Sequence, residues 1–385
     1  MFSESSSDKL NFDFQHLTGV VVSLKTSEIT HEEINSSISE IIQLAKTLGV
    51  TIENRFIQQR KFIDPAYYIG QGKLEEIRRY MTENNIDILI FDNELSGIQE
   101  RNIENFVGKP ILDRTAIILN IFKKRAKSNE AKLQVELAAL EYQMPRLRNM
   151  WTHFSRSEGV VGIRGGEGEK QLELDKRMIK NRISAITKRL EKIDTQMKTR
   201  RKKRSNSRNV SLAGYTNAGK TSLMNLLSKK TLFAENMMFS TIDSTVRKVY
   251  INDDLSILLN DTVGFINKLP CSLVASFKST LDEILGADLI LHVIDISSEF
   301  AQEHINSVEQ ILREIGAAHI PIIRVYNKAD LLDDMIESGM HITNDDILIS
   351  TYTKQGIETL KERISRFFLD KESADNSGKN YNFTD

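Results

Sequence analysis

Gly214-Tyr215-Thr216-Asn217-Ala218-Gly219-Lys220-Thr221 decides the reading of this 385-residue chain. Glycine, four residues, then Gly-Lys and a hydroxyl residue is the pattern of a phosphate-binding loop. Val210-Ser211-Leu212-Ala213 before it reads as a buried strand, and residues 222–227 after it read as a helix. That strand-loop-helix context is what the motif needs, because backbone N–H groups then turn onto a phosphate at the positive end of a helix dipole. Lys220 is expected to reach the β- and γ-phosphates of a nucleotide, and the Thr221 hydroxyl to ligate Mg²⁺.

Further motifs follow at strand ends. Asp261-Thr262-Val263-Gly264 closes a strand over 255–260, where a carboxylate can hold the Mg²⁺ shell and the Gly264 N–H can sense a γ-phosphate. Asn327-Lys328-Ala329-Asp330 ends a strand over 321–326, where open parallel sheets place ligands. A carboxylate such as Asp330 accepts two hydrogen bonds from guanine that adenine does not offer. Ser350-Thr351-Tyr352 is expected to support the base. Phe239-Ser240-Thr241-Ile242-Asp243 lies between the first two motifs, with Thr241 a second Mg²⁺ ligand that only a γ-phosphate would order, and Thr245 its rival. The order and spacing imply a guanine-nucleotide switch. Phe265 stands where related enzymes carry a water-orienting glutamine, so no catalytic side chain is assigned; Gly264 and Thr241 are expected to contribute. Hydrolysis is expected to be slow alone and to depend on a backbone group, loop movement or a partner. Arg247 is a candidate arginine finger in cis, or else lies on a solvated hairpin face.

Working outward, within residues 1–125 the first sixteen read as a frayed tail and the chain from Gly19 alternates strand and helix, which predicts a small parallel α/β domain. Over 126–204, Leu133, Leu137, Leu140, Met144 and Leu147, then Ile179, Ile183, Ile186, Leu190, Ile193 and Met197, recur near a 3.5-residue period. Two such helices around a glycine-rich break predict an antiparallel coiled-coil hairpin, or else two helices packed on a globular core. Pro145 is expected to kink or stop the first. Residues 205–370 form the nucleotide domain, its sheet extended by a hairpin over 246–260, and 371–385 read as a loose tail.

Net charge is −1, so nucleic-acid affinity must be local. Residues 170–204 hold fourteen Lys/Arg against four Asp/Glu. Such a stripe can neutralise phosphates, or can be a solvated helix face. Trp151, His153 and Phe154 offer stacking groups near the hairpin tip, or pack on one another. A lone Cys271, a polar N-terminus and the absence of a long apolar run lead to the expectation of a cytoplasmic protein without membrane insertion.

The chain resembles the HflX-type GTPases of the translation-factor-related class over about residues 19–368. The resemblance rests on Tyr68-Ile69-Gly70-Gln71-Gly72-Lys73-Leu74-Glu75-Glu76, Asp113-Arg114-Thr115, Ala131-Lys132-Leu133-Gln134-Val135-Glu136-Leu137 and Met144-Pro145-Arg146-Leu147. It rests also on Arg164-Gly165-Gly166-Glu167-Gly168-Glu169-Lys170-Gln171-Leu172-Glu173 with Asp175, and on the loops at 214–221 and 261–265. It implies a GTP- and Mg²⁺-binding protein that acts on the large (50S) ribosomal subunit, splits stalled or idle ribosomes, and hydrolyses GTP faster on them. By that resemblance the segments 214–221, 239–243, 261–264, 327–330 and 350–352 hold GTP. Arg164, Lys170, Arg200, Arg201 and Lys202 are candidate rRNA contacts, and a monomer is expected. The glycine-rich segment is one residue longer than the family's usual Arg-Gly-Pro-Gly-Glu, Thr351 replaces an alanine, and Thr221-Ser222 inverts the usual order. Two other roles remain open: an assembly factor for the large subunit, and a non-hydrolysing RNA-binding scaffold.

Overall fold

The computed structural model describes residues 13–151, 165–203, 207–228, 238–239, 245–268, 278–332, 343 and 346–379. The chain divides into two compact units, residues 1–197 with 268–277 and residues 198–267 with 278–385.

The first unit begins with β1 (Thr18–Lys25), α1 (His31–Leu48), β2 (Thr51–Gln59), α2 (Gln71–Glu83), β3 (Ile88–Phe91), α3 (Gly97–Val107) and β4 (Ile111–Asp113). Its four strands are parallel in the order β2-β1-β3-β4. Helix starts are set locally: Thr30 with Glu33 and Ser96 with Gln99 form reciprocal capping boxes that fill the first open N–H groups of α1 and α3. Val20, Val22, Leu89, Phe91, Leu74 and Ile77 are buried together between β1, β3 and α2. Each such side chain contributes about 1.5–3 kcal/mol through area removed from water.

Helix α4 (Arg114–Arg125) was not among the expected elements. Its residues 114–122 are all buried, so it has no polar face and its sequence carries no helical period. Asp113 caps it, accepting from the Ala116 N–H at 2.8 Å. The side chains at its start and at the ends of β1 and β3 form a buried charge cluster. Asp92 accepts from Arg114 at 2.8 Å, from Ser37 at 2.6 Å, from Ser23 at 3.2 Å and from Lys268 of the same unit at 3.1 Å. Arg114 also pairs with Glu40.

Helix α5 (Asn129–Trp151) runs through Pro145 without ending. It packs on α3 and α4, burying Leu133, Val135, Ala138 and Tyr142. Just past the proline, Arg146 is buried and donates to Glu100, Asp113 and the carbonyls of Tyr142 and Leu95. The Met144-Pro145-Arg146-Leu147 motif therefore clamps this helix to the α/β domain. Burial pushes the Asp113 carboxyl up to about 6, against the opposing pull of Arg146. Helix α6 (Gly165–Lys203) starts inside the glycine-rich stretch expected to be a break. Arg182 on α6 grips Glu136 on α5 at 2.7 and 3.0 Å, and Ile186 is its one fully buried heptad residue among those described. The apolar side of α5 thus serves the globular domain more than a two-helix seam.

The second unit contains β5 (Arg208–Gly214), α7 (Lys220–Ser228), β6 (Thr245–Tyr250), β7 (Ser256–Asp261), α8 (Lys278–Leu285), β8 (Leu289–Asp295), α9 (Ala301–Glu314), β9 (Ile322–Asn327), β10 (Ile347–Leu348) and α10 (Ile357–Lys379). The sheet order is β10-β9-β8-β5-β7-β6, parallel except for the edge strand β6, as the hairpin predicts. Helix α10, expected to stop near residue 368, continues to Lys379. Lys371 pairs with Asp288 at 2.6 Å and Glu372 with Arg208, so ion pairs extend a helix whose apolar face has run out. Among the described residues no helix is long and apolar enough to cross a membrane.

Candidate functional site

The carboxyl ends of β5, β7, β9 and β10 bring the expected loops together within the second unit. Gly214 leaves β5 with φ +152°, and a Cβ there would lie 2.2 Å from the Val293 carbonyl oxygen, so only glycine fits. Asn217 takes a left-handed φ of 62°, which asparagine tolerates. Gly219 has φ +96°, and a Cβ there would strike Asn327 Nδ2 at 2.1 Å. That close approach lets Asn327 donate to the Ala218 carbonyl at 2.9 Å while its own Oδ1 accepts from Thr351 N–H at 3.0 Å. One amide therefore joins the 214–221 loop, the 327–330 loop and the 350–352 loop.

The remaining groups are ordered around that bridge. Lys220 is buried, and its Nζ donates to the carbonyls of Gly214 at 2.9 Å and Tyr215 at 2.7 Å. Burial lowers it to about 8, opposed by the charge of Asp261. The Thr221 hydroxyl donates to Asp261 Oδ2 at 2.7 Å. A hydroxyl oxygen beside a carboxylate is a donor set of the kind Mg²⁺ takes, although no cluster of three or more His, Cys, Asp or Glu side chains occurs among the described residues. Thr262 turns back to the Leu212 carbonyl at 2.6 Å, and Val263 is half-buried. Gly264 sits against the glycine loop: a Cβ on it would lie 2.9 Å from Thr216 Cα and 3.0 Å from Lys220 Nζ. Phe265 is buried, and its peptide pairs with that loop, Thr216 N–H to Phe265 carbonyl at 2.8 Å and Phe265 N–H to Gly214 carbonyl at 3.1 Å.

In the third loop, Lys328 is left-handed at φ 69° and its Nζ reaches Asp295 at 2.6 Å. Ala329 N–H donates to the Ile349 carbonyl at 3.1 Å, and the Ser350 hydroxyl donates to Asp330, leaving the Asp330 carboxylate exposed. Tyr352 follows them and is 87% exposed. Phe239 is buried at φ 54°. Ser240, Thr241, Ile242, Asp243 and Arg164 lie outside the described residues, as do the side chains of Lys170, Arg200, Arg201 and Lys202 on α6. Arg247 donates to Ser228 Oγ at 3.1 Å. Ser228 is at the far end of α7, roughly 12 Å from Lys220 at the α-helical rise, which removes Arg247 from the loop.

Comparison with known proteins decides the family. Residues 35–123 match the model of the GTP-binding GTPase N-terminal region, 125–204 that of its middle region, and 209–328 that of the 50S ribosome-binding GTPases. The GTPase HflX of Flavobacterium psychrophilum is 44% identical over 84% of this chain and 77% of its own length. That of Escherichia coli is 39% identical over 87% of this chain and 81% of its own. The chain belongs to the HflX GTPase family. Among solved structures, a GTP-binding protein from Sulfolobus solfataricus in complex with GDP is 26% identical, covers 90% of this chain and 98% of its own, and has a TM-score of 0.46.

Three residues packed beside Tyr215 of this HflX-family loop, His304, Asn267 and Ser307, carried no sequence signal. The Tyr215 ring stacks on His304 of α9 at 3.7 Å and 14°. Its hydroxyl accepts from the Asn267 N–H at 2.9 Å, and Asn267 in turn accepts from Ser307. The partners are 52 and 40 residues apart in sequence, beyond any local motif. Burial lowers His304 to about 4, with Asp295 opposing, so the ring is neutral in the stack.

Proposed function

We propose that this GTPase holds a guanosine triphosphate across the three loops, docks in that state on the large ribosomal subunit, and separates stalled or idle ribosomes, hydrolysis resetting its affinity. The Asn327 bridge carries the reading, because it makes the phosphate side and the base side of the cradle one rigid unit. In this reading the glycine-loop N–H groups and Lys220 hold the phosphates, and Asp330, held by Ser350, accepts from guanine. Asn327, Lys328 and Thr351 support the base loop. Thr221, beside Asp261, would hold a magnesium ion that neutralises charge on the β- and γ-phosphates, with Thr241 a candidate second ligand. Phe265 cannot orient water, which agrees with a slow enzyme quickened by its partner.

The ribosome-facing part of the proposal is supported by α6. Lys176, Arg177 and Lys180 line a groove of about 680 Å³ with Glu173, Asn181 and Leu174, itself 50% exposed, so three cations face one carboxylate there. Cations beside an exposed apolar side chain suit an RNA backbone, with affinity that falls as salt rises. The place of action is then the ribosome-bearing cytoplasm, and a monomer suffices.

Only unequal affinity of the two nucleotide states can drive such a cycle. Sucrose-gradient sedimentation of 70S ribosomes with the protein and GTP, a non-hydrolysable analogue or GDP is the test. Free subunits and 50S-bound protein are expected with GTP and the analogue and not with GDP. Equal sedimentation with GTP and GDP would refute the proposal.

A further inference from the structure

The third residue of the glycine loop carries a side chain that the site as read so far does not use. Thr216 is 6% exposed, and among the described residues its hydroxyl has no hydrogen-bond partner. A buried, unpaired hydroxyl costs about 1–3 kcal/mol, and proteins rarely leave one so placed without a ligand or water to meet it. The neighbouring hydroxyls are engaged, Thr221 with Asp261 and Thr262 with the Leu212 carbonyl.

Its position gives the hydroxyl a use. The Thr216 Cα and Cγ2 lie 2.9 and 3.0 Å from the point where a Gly264 Cβ would stand, and Lys220 Nζ lies 3.0 Å from the same point. Three groups therefore converge, the Lys220 ammonium, the backbone of Gly264 and the Thr216 methyl, and the hydroxyl branches from the same Cβ as that methyl. The first two are those expected to meet a terminal phosphoryl group. The pairing of Thr216 N–H with the Phe265 carbonyl fixes the residue's backbone there, while Phe265 itself offers no polar atom on its side chain. A hydroxyl both donates and accepts, so it can do what a phenyl ring cannot.

We infer that Thr216 is a catalytic residue, its hydroxyl accepting a hydrogen bond from the attacking water and donating one to a γ-phosphoryl oxygen. The water oxygen forms a bond to the γ-phosphorus as the bond from that phosphorus to the β–γ bridging oxygen breaks. A water proton passes to a γ-phosphate oxygen, giving GDP and inorganic phosphate. The inference rests on the triphosphate reading of the cradle.

The test uses the full-length chain as wild type, Thr216→Val, which keeps the shape without the hydroxyl, and Thr216→Ser, which keeps the hydroxyl. Melting temperature without nucleotide, affinity for GDP, affinity for GDP with aluminium fluoride, and kcat with and without 50S subunits are measured. Thr216→Val is expected to melt no lower than wild type, because an unpaired hydroxyl is removed, and to bind GDP within about twofold. Its kcat and its affinity for the aluminium fluoride complex are expected to fall about 10- to 100-fold, and Thr216→Ser to restore both to within a few-fold. Unchanged kcat and analogue affinity in Thr216→Val would overturn the inference, as would a parallel loss of GDP affinity, which marks a structural role. A wild type that binds neither GDP nor the analogue would instead overturn the reading of the cradle, and the inference with it.

Discussion

At the carboxyl ends of β1 and β3, Asp92 is enclosed by Arg114, Lys268, Ser23 and Ser37, whereas beyond the carboxyl end of β5 the Thr216 hydroxyl has no partner among the described residues. Both sheets are open and parallel at these strands, and both have the strand-end crevice where such folds place ligands. The first fills its crevice with its own charges, two carboxylates against two cations once Glu40 is included. The second lines it with glycines that admit close approach, a buried lysine and a carboxylate exposed at the rim. The same architecture therefore becomes a scaffold in one unit and a cradle in the other. The difference lies in what stands at the strand ends: a compensated charge cluster in the first, and glycines with one buried hydroxyl unpartnered among the described residues in the second.

If that contrast is right, removing a cation from the first crevice harms stability and removing one from the second harms binding. Arg114→Met leaves Asp92 and Glu40 short of a buried partner and is expected to cost about 3–5 kcal/mol in denaturant unfolding of the first unit. Guanine-nucleotide affinity of the folded fraction should be unchanged; a loss under about 1 kcal/mol would show that charge matching does not hold this crevice. Lys220→Ala reverses the pattern. It should weaken GTP binding by about 100- to 1,000-fold, read by calorimetric titration, while the far-ultraviolet and melting signatures of the first unit persist.

Asp330→Asn sharpens the site on its base side. The amide no longer accepts both guanine donors, so GTP affinity should drop about 100-fold and xanthosine triphosphate should bind better than GTP. Unaltered base preference in a competition titration would remove Asp330 from the base loop.

The smallest effect concerns acid. His304 is held neutral by burial, with its value lowered from 6.5 to about 4. Between those values the unfolded chain binds the proton and the folded one does not, so stability is present at neutral pH and is lost as pH falls from 6.5 towards 4. The ring is partly exposed, and discounting for solvent screening leaves about 1–2 kcal/mol. His304→Phe keeps a ring against Tyr215, and its melting temperature should fall less between pH 7 and pH 5 than that of wild type. Parallel melting curves for the two proteins across that range would contradict this.

Much of the contrast was legible in residue order alone. Strand and helix alternation placed both sheets, and the spacing of Gly214, Lys220, Asp261 and Asn327 put the cradle loops at strand ends. What escaped was carried by contacts without a period or a motif. Helix α4 was invisible because Ala116, Ile117, Ile118, Leu119, Ile121 and Phe122 are buried all round it. Residues 165–169 read as a break because glycine disfavours helix, yet they begin α6. Arg146, seen only as part of a motif, proved to be a buried clamp, and the stack of Tyr215 on His304 joins segments that no local pattern links.

The most direct measurement of the central claim is a calorimetric titration of GTP, GDP and ATP into wild-type and Lys220→Ala protein with Mg²⁺ present. Tight guanine-nucleotide binding in wild type, far weaker binding of ATP at the same site, and loss of the GTP signal in Lys220→Ala are predicted. Guanine-nucleotide affinity that survives in Lys220→Ala would contradict the account.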